Sequence, residues 1–440
     1  MGMRQKESKL VSIVLYVLVS LSLFLTWRIL ASPSQRLNLQ PVAPTVQNPN
    51  ISTTKNLEEV FVPNQMAVHT DTRTYITKDT KILKEVDLFL NDWKMKNISF
   101  LATYDLDEFN DLVLQTGRVE VKFPAAVHLD LVSRYFDELP EGLSNEMITR
   151  ILLSPKAENE IYLVNDDTKK VYTAQSSEKS IEPLLALYTK NVEQFIPANA
   201  YAFSKGIVFM PQERITVPVL VYLAEKQPTS FFINELFDDT TELRDNSDDL
   251  VISYSDNISE LRISKDSGIL YYYRNNLDQT SILPYRQVRN SFHEVKFLDT
   301  WPGLSLYDGY DPITEQITYR RYVNGIPIYD TKGMGVIRMK MANSGSTEIQ
   351  LPTQIIQTPL EDRQKNKELP KGEEVMEMLV KKGYSFSDIE MVEVAYEWSS
   401  SDESNRMVEL TPHWFIKMKG TWRTLDSWLI DLGEETENGF

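Results

Sequence analysis

Residues 317–341 read ITYRRYVNGIPIYDTKGMGVIRMKM. Asn324-Gly325 stands between two strand-like runs. A two-residue type I′ turn needs positive φ at both central positions, and Asn-Gly is the pair that tolerates it best. The stretch therefore predicts a β-hairpin. Pro327 follows the turn without an N–H for a ladder bond, which places it at a sheet edge or bulge. In the next run Ile337, Met339 and Met341 alternate with Arg338 and Lys340. One face of that sheet is apolar and the other is wet.

The same grammar extends in both directions. Upstream, LVISYSDNISELRISKDSGILYYYRN (250–275) alternates and breaks at Ser255-Asp256-Asn257 and again at Lys265-Asp266-Ser267-Gly268, a meander of three strands. Its Tyr271, Tyr272 and Tyr273 read as exposed aromatics or as cross-strand packing. RVEVKF (118–123) and NEIYLVNDDTKKVYTA (159–174) are strands, the second turning at Asn165-Asp166-Asp167. Downstream, IEMVEVAYEW (389–398) and VELTPHWFIKMKGTW (408–422) return to strand. Helices punctuate this pattern. KDTKILKEVDLFLNDW (78–93) sets Ile82, Val86, Phe89 and Trp93 on one face behind an Asp79 cap. SIEPLLALYTKNVEQFI (180–196) is a second helix, and GEEVMEMLVKKGY (372–384) a third, stopped by Gly383. Strand runs with scattered helices, not alternating βαβ, predict an α+β fold of antiparallel sheets and meanders with packed helices.

The N-terminus is of another kind. KLVSIVLYVLVSLSLFLTWRIL (9–30) holds 18 uncharged residues, Leu10 to Trp27. As a helix they rise roughly 27 Å, close to a hydrocarbon core of about 30 Å. A secretory apolar region is shorter and ends at small residues, whereas bulky Ile29 and Leu30 precede Ala31 here. The stretch is expected to be one retained transmembrane helix. Arg4, Lys6 and Lys9 precede it, so residues 1–9 are expected in the cytoplasm and the rest outside. Residues 31–57, rich in Pro, Ser, Asn and Gln, read as an extended linker. Beyond it we expect an α+β domain over 58–212, a β-rich domain over 213–300 and an α+β domain over 301–440.

Composition narrows the chemistry. The formal net charge is −17, and residues 31–440 hold 42 basic against 62 acidic residues, a net −20. That disfavours nucleic acid and anionic surfaces as partners. No cysteine occurs, which removes disulfides and thiol chemistry. His69, His128, His293 and His413 form no H-x-x-x-H pair for zinc. Ser52-Thr53-Thr54-Lys55 and Ser255-Asp256-Asn257 match two elements of penicillin-recognising serine enzymes, but the first sits in the linker, the second at a turn, and K-T-G is missing. YDLDEFNDL (104–112) fails the calcium-loop positions and reads as a helix start, and DDTTELRDNSDD (238–249) as an acidic loop. No catalytic residue, metal site or cofactor emerges.

FDDTTELR (237–244), the meander, WPGLSLYDGYDPITEQITYRRYVNGIPIYD (301–330) and LTPHWFIKMKGTW (410–422) together resemble the YycH family of Firmicutes membrane proteins. The RYVNGIPIYD hairpin also resembles elements of YycI and of PepSY-like domains. The resemblance spans nearly the whole chain. It implies a non-enzymatic regulator that acts with YycI on the sensor histidine kinase YycG, also called WalK, and so on cell-wall metabolism. A membrane-kinase partner directs attention to the helix face. At 100° per residue Ser12, Tyr16, Ser20 and Trp27, with Leu23, fall within an arc of about 80°, flanked by Ser22 and Thr26. Small and hydroxyl residues allow close helix approach and interhelical hydrogen bonds. The same hydroxyls can bond back to their own helix without any partner. The competing expectation is a ligand-binding or protease-inhibitory ectodomain of PepSY-like type, with the helix only a tether.

Overall fold

The computed structural model describes residues 55–154, 161–176, 180–275, 282–342, 345–400 and 406–430. The expected anchor at 10–30 lies outside them. Among the described residues no helix is long and apolar enough to cross a membrane.

Nine strands form a first sheet: β1 (Gln65–His69), β2 (Thr74–Thr77), β3 (Met95–Thr103), β4 (Val119–His128), β5 (Met147–Leu153), β6 (Ile161–Val164), β7 (Lys170–Ser176), β8 (Ile196–Phe203) and β9 (Gly206–Pro211). Their order is β3-β7-β6-β5-β4-β1-β2-β8-β9. The second sheet begins with β10 (Ile215–Lys226), β11 (Arg244–Asp245), β12 (Val251–Ser255), β13 (Ser259–Ser264), β14 (Ile269–Asn275), β15 (Ser305–Asp311) and β16 (Gln316–Val323). It continues with β17 (Ile326–Tyr329), β18 (Val336–Ala342), β19 (Ser346–Pro352), β20 (Gln354–Pro359), β21 (Lys365–Leu369), β22 (Ile389–Ser400), β23 (Met407–Met418) and β24 (Thr421–Thr424). Its main path is β11-β12-β13-β14-β19-β18-β16-β17-β22-β23-β10-β20, so strands from 213–300 and from 301–440 share one ladder. Among the described residues every strand pair is antiparallel except β17 with β22. The fold is α+β with nearly all-antiparallel sheets and few helices.

Eight α-helices are described: α1 (Leu57–Val60), α2 (Thr80–Trp93), α3 (Leu106–Val113), α4 (Glu182–Lys190), α5 (Thr229–Leu236), α6 (Pro284–Val295), α7 (Gly372–Lys381) and α8 (Leu425–Leu429). Asp79 caps α2 by accepting from the backbone N–H groups of Lys81 and Ile82, satisfying donors that the first turn leaves open. Ile82, Val86, Leu90 and Trp93 bury the inner face of α2. Asp105 and Glu108 form a capping box on α3, so the acidic YDLDEFNDL segment is a helix start. One core draws on both sheets, joining Phe61, Val121 and Tyr135 with Phe292, Tyr307 and Met339.

The hairpin that sets the sequence reading is present. Asn324 and Gly325 take φ of 50° and 77°, and Val323 pairs with Ile326 across them. Gly325 does more than turn. A Cβ there would lie 2.5 Å from the carbonyl oxygen of Lys78, so the hairpin tip rests on the backbone that leads into α2. Pro327 departs from expectation. Its strand, β17, is interior, with β16 on one side and β22 on the other. Parallel pairing to β22 begins only at Ile328, so the missing N–H falls just before the ladder. The C-terminal run expected as one strand is a second hairpin, β23 to β24, turning at Lys419-Gly420 with φ of 51° and 75°.

Candidate functional site

Ser12, Tyr16, Ser20, Ser22, Thr26 and Trp27 all lie outside the described residues, as do residues 31–54 of the expected linker. What is described begins at Lys55, and that residue is held firmly. Its ammonium donates to Asp299 Oδ2 at 2.5 Å and to Ser305 Oγ at 3.0 Å. Asp299 is buried and also accepts from Arg321 Nη2 at 3.3 Å, Ser305 Oγ at 2.6 Å and the Trp301 N–H at 3.3 Å. Burial pushes its carboxyl up, but Lys55 and Arg321 outweigh burial and hold it well below the usual range. Lys55, the lysine of the S-x-x-K match, is thus spent on an ion pair. Asp256, in the Ser-Asp-Asn match, accepts from the N–H groups of Ile258 and Ser259 to close a turn.

A second charged cluster is structural. Arg150 is fully buried on β5 and donates to both oxygens of Asp166, to Glu120 on β4 and to the carbonyl of Ile207 on β9. Burial pushes the Glu120 and Asp166 carboxyls up; Arg150 outweighs it and holds both below their usual values. His69 Nε2 stands 3.4 Å from Glu120. The cluster ties the turn at Asn165-Asp166-Asp167 to β9 across the sheet. Between the sheets, Lys78 donates to Glu393 on β22 at 2.7 Å. Among the described residues no group of three His, Asp or Glu side chains could hold a metal. In the acidic 238–249 loop Asp239, Asp245 and Asp248 accept from their own backbone.

A cavity with an unspent set of polar groups lies on the wet face of the second sheet. Its volume is about 440 Å³, and it sits over β13, β14, β19, β18 and β16. Register builds it from two transverse rows. One row runs Arg262, Tyr271, Gln350, Arg338, Thr318; the other runs Glu260, Tyr273, Glu348, Lys340, Gln316. Neighbouring strands are about 4.8 Å apart and alternate residues along a strand about 7 Å, so the rows form a two-lane surface. Arg262 pairs with Glu260 at 2.7 Å and Lys340 with Glu348 at 3.5 Å. Arg338 is half-buried and makes no hydrogen bond or ion pair among the described residues. Burial and the nearby Arg320 guanidinium lower its proton affinity, while Tyr271 and Asp308 oppose them.

The alternation at Ile337–Met341 is as expected: Ile337, Met339 and Met341 are buried, Arg338 and Lys340 face the cavity. The tyrosine run needs a correction. Tyr271 and Tyr273 are exposed, but Tyr272 is buried and its hydroxyl donates to the Leu236 carbonyl at 2.7 Å. Period-two alternation puts the middle residue on the opposite face. The role of Arg338 escaped the sequence, because its lack of a partner depends on strands up to 80 residues away in the chain.

Two family-level domains match: the YycH protein, C-terminal domain, over residues 205–431, and the YycH protein, N-terminal domain, over residues 8–192. A relative from Bacillus subtilis (strain 168), described as "Two-component system WalR/WalK regulatory protein YycH", is 24% identical over 438 residues, covering 94% of this chain and 95% of the relative. The crystal structure of YycH from Bacillus subtilis aligns with a TM-score of 0.71 at 19% identity, covering 84% of this chain and 97% of that one. The strand order described above is therefore shared in fold across a large sequence distance, and the domain matches together run from the basic N-terminus through β24. The chain belongs to the YycH family.

Proposed function

We propose that this protein is a membrane-anchored extracytoplasmic regulator of a WalK-type sensor histidine kinase, acting together with a YycI-type partner and so on cell-wall metabolism. The observation that carries the reading is the end-to-end match to a relative described as a WalR/WalK regulatory protein. The N-terminal domain match starts at residue 8, so it takes in the apolar run 10–27, which fits an anchor that belongs to the protein's working parts. In this reading residues 10–30 span the bilayer, residues 1–9 are cytoplasmic and the remainder is outside. Ser12, Tyr16, Ser20 and Trp27, flanked by Ser22 and Thr26, face the kinase helices. The protein acts by binding, not catalysis; the arginine, aspartate and histidine clusters above are consumed in holding the fold.

The test is a kinase-dependent transcription reporter in cells lacking the protein. Cells are complemented with the full chain, with residues 1–57 alone, or with residues 31–440 on an unrelated membrane helix. Control restored by 1–57 makes the anchor the effector. Control restored only by the swapped-helix version makes the anchor a tether and moves the contact to the ectodomain. Failure of the full chain itself to restore control overturns the reading. A triple Ser12→Leu, Ser20→Leu, Ser22→Leu variant that inserts normally should weaken control; unchanged output rejects the helix face. A second reading, a ligand-binding ectodomain, is favoured by the cavity lined by Tyr271, Tyr273 and Arg338.

A further inference from the structure

We propose that the cavity over β13, β14, β19 and β18 binds a short peptide with a free carboxylate, the carboxylate on Arg338 and the peptide body across Tyr271 and Tyr273. The proposal stands whether or not the kinase reading holds.

Arg338 stands apart from its kind. Every other arginine that is not exposed among the described residues donates to a carboxylate or a carbonyl, from Arg118 on Leu112 to Arg321 on Asp299. Arg338 donates to neither. Its neighbours on the same face are equally uncommitted: the side-chain amides of Gln316 and Gln350 and the hydroxyls of Tyr271 and Tyr273 make no hydrogen bond among the described residues. Five polar groups, two of them on aromatic rings, thus converge unspent on one cavity. Its volume of about 440 Å³ is that of a small-ligand site. A few convergent polar groups on an aromatic floor are what such sites use to fix orientation.

Charge selects the ligand's end group. With Arg262 and Lys340 already neutralised by Glu260 and Glu348, the cavity keeps one unbalanced positive charge. A single carboxylate matches it and fits a guanidinium bidentately. A phosphate dianion would overbalance that one charge. The body follows from the other groups. Side-chain amides match peptide amides donor for acceptor, and tyrosine faces take apolar or Cα–H surface. Arg338 and Tyr271 lie on strands two spacings apart, about 10 Å, which an extended tripeptide spans at about 3.4 Å per residue.

The experiment uses the full chain in nanodiscs and ligand-observed saturation-transfer NMR, with Ala-Ala-Ala as probe and its C-terminal amide, acetate and inorganic phosphate as comparators. The free-acid peptide should bind, the amide at least about tenfold more weakly, corresponding to about 1.4 kcal/mol. Arg338→Gln should cost a similar factor and Arg338→Lys less, because a lysine keeps the charge but not the fork. Arg214→Gln, the same charge change just before β10, should leave binding alone. Tyr271→Ala with Tyr273→Ala, both on exposed side chains, should weaken the peptide without altering the melting midpoint, and so keeps the test valid if Arg338→Gln folds poorly. Equal binding of acid and amide, or binding untouched by both variants, overturns the proposal. So does phosphate competing as well as the peptide, which would mark a general anion site. Absence of peptide signal at about 10 mM, where a ligand worth only about 3 kcal/mol would register, also overturns it.

Discussion

Two glycines in this protein have nearly the same backbone and different surroundings, and that difference can be weighed. Gly325 and Gly420 are each the second residue of a two-residue hairpin turn, with φ of 77° and 75°. Around Gly420 a Cβ would meet nothing within 4 Å; at Gly325 it would lie 2.5 Å from the carbonyl oxygen of Lys78. Replacing either by alanine forces a Cβ into left-handed backbone, at about 1–2 kcal/mol. Gly420→Ala should cost that and no more. Gly325→Ala must also push the hairpin off the segment that opens α2. Backbone is the obstacle, so no side-chain rotamer relieves it, and overpacking of this kind adds about 1–3 kcal/mol. The total is about 2–5 kcal/mol, with the Lys78–Glu393 pair at 2.7 Å in the same displaced segment.

The assay is urea unfolding of the full chain in detergent micelles, followed by tryptophan fluorescence. Amide hydrogen exchange supplies the location: Gly325→Ala should accelerate exchange in the first turn of α2, whereas Gly420→Ala should leave that turn unchanged. If the two variants lose stability equally, within about 0.5 kcal/mol, the hairpin tip does not hold the two sheets together and the reasoning fails.

Further outcomes follow from the buried charges. Burial lowers the pKa of His128 from 6.5 to about 4, so the unfolded imidazole takes up a proton before the folded one. Stability is then lost as pH falls through that window, by about 3 kcal/mol; His128→Phe should remove that part of the slope, read as the difference between two pH profiles of urea unfolding. Arg150→Met leaves Glu120 and Asp166 buried without their cation and should destabilise by about 3–5 kcal/mol, measured the same way. Asp299→Ala strips the partner from Lys55 and Arg321 at once and should also cost about 3–5 kcal/mol. Lys55→Ala removes only one of four donors to Asp299 and should cost about 1.5–3 kcal/mol, so the reverse ranking would contradict the geometry.

What was legible in the sequence was local. Asn324-Gly325, the breaks at Ser255-Asp256-Asn257 and Lys265-Asp266-Ser267-Gly268, and the Asp79 cap all carry their signal within a few residues, and each is where it was read. Lys419-Gly420 carries a weaker local signal, because lysine is no turn former, although Lys419 takes φ of 51°. Pro327 misled for a different reason. The rule concerns its missing N–H, but β17 gains its parallel partner from β22, some 70 residues on, and the ladder starts one residue after the proline. The alternation of Arg338 and Lys340 marked a wet face. That Lys340 finds Glu348 while Arg338 finds nothing depends on the register of β18 with β19, which no local pattern specifies.

Strand β16 connects the features that matter most. Its first residues, Gln316 and Thr318, belong to the rows of the cavity. Arg320 is buried against Asp308 at 2.7 Å. The next residue, Arg321, joins Lys55 on Asp299, and the strand ends in the hairpin whose Gly325 rests on Lys78. Successive side chains of a strand point to opposite faces, so Arg320 and Arg321 bind different neighbours although they are adjacent. In the anchored arrangement proposed above, Lys55 is where the linker from the membrane meets the folded part. A rigid strand of eight residues, roughly 26 Å long, then runs from the cavity to that entry point and on to the seam between the sheets. The buried arginines along it resist independent movement, because shifting either one strands a carboxylate away from water. The cavity rows and the Lys55–Asp299 ion pair are therefore joined by one strand, so a displacement at either end is transmitted through β16 to the other.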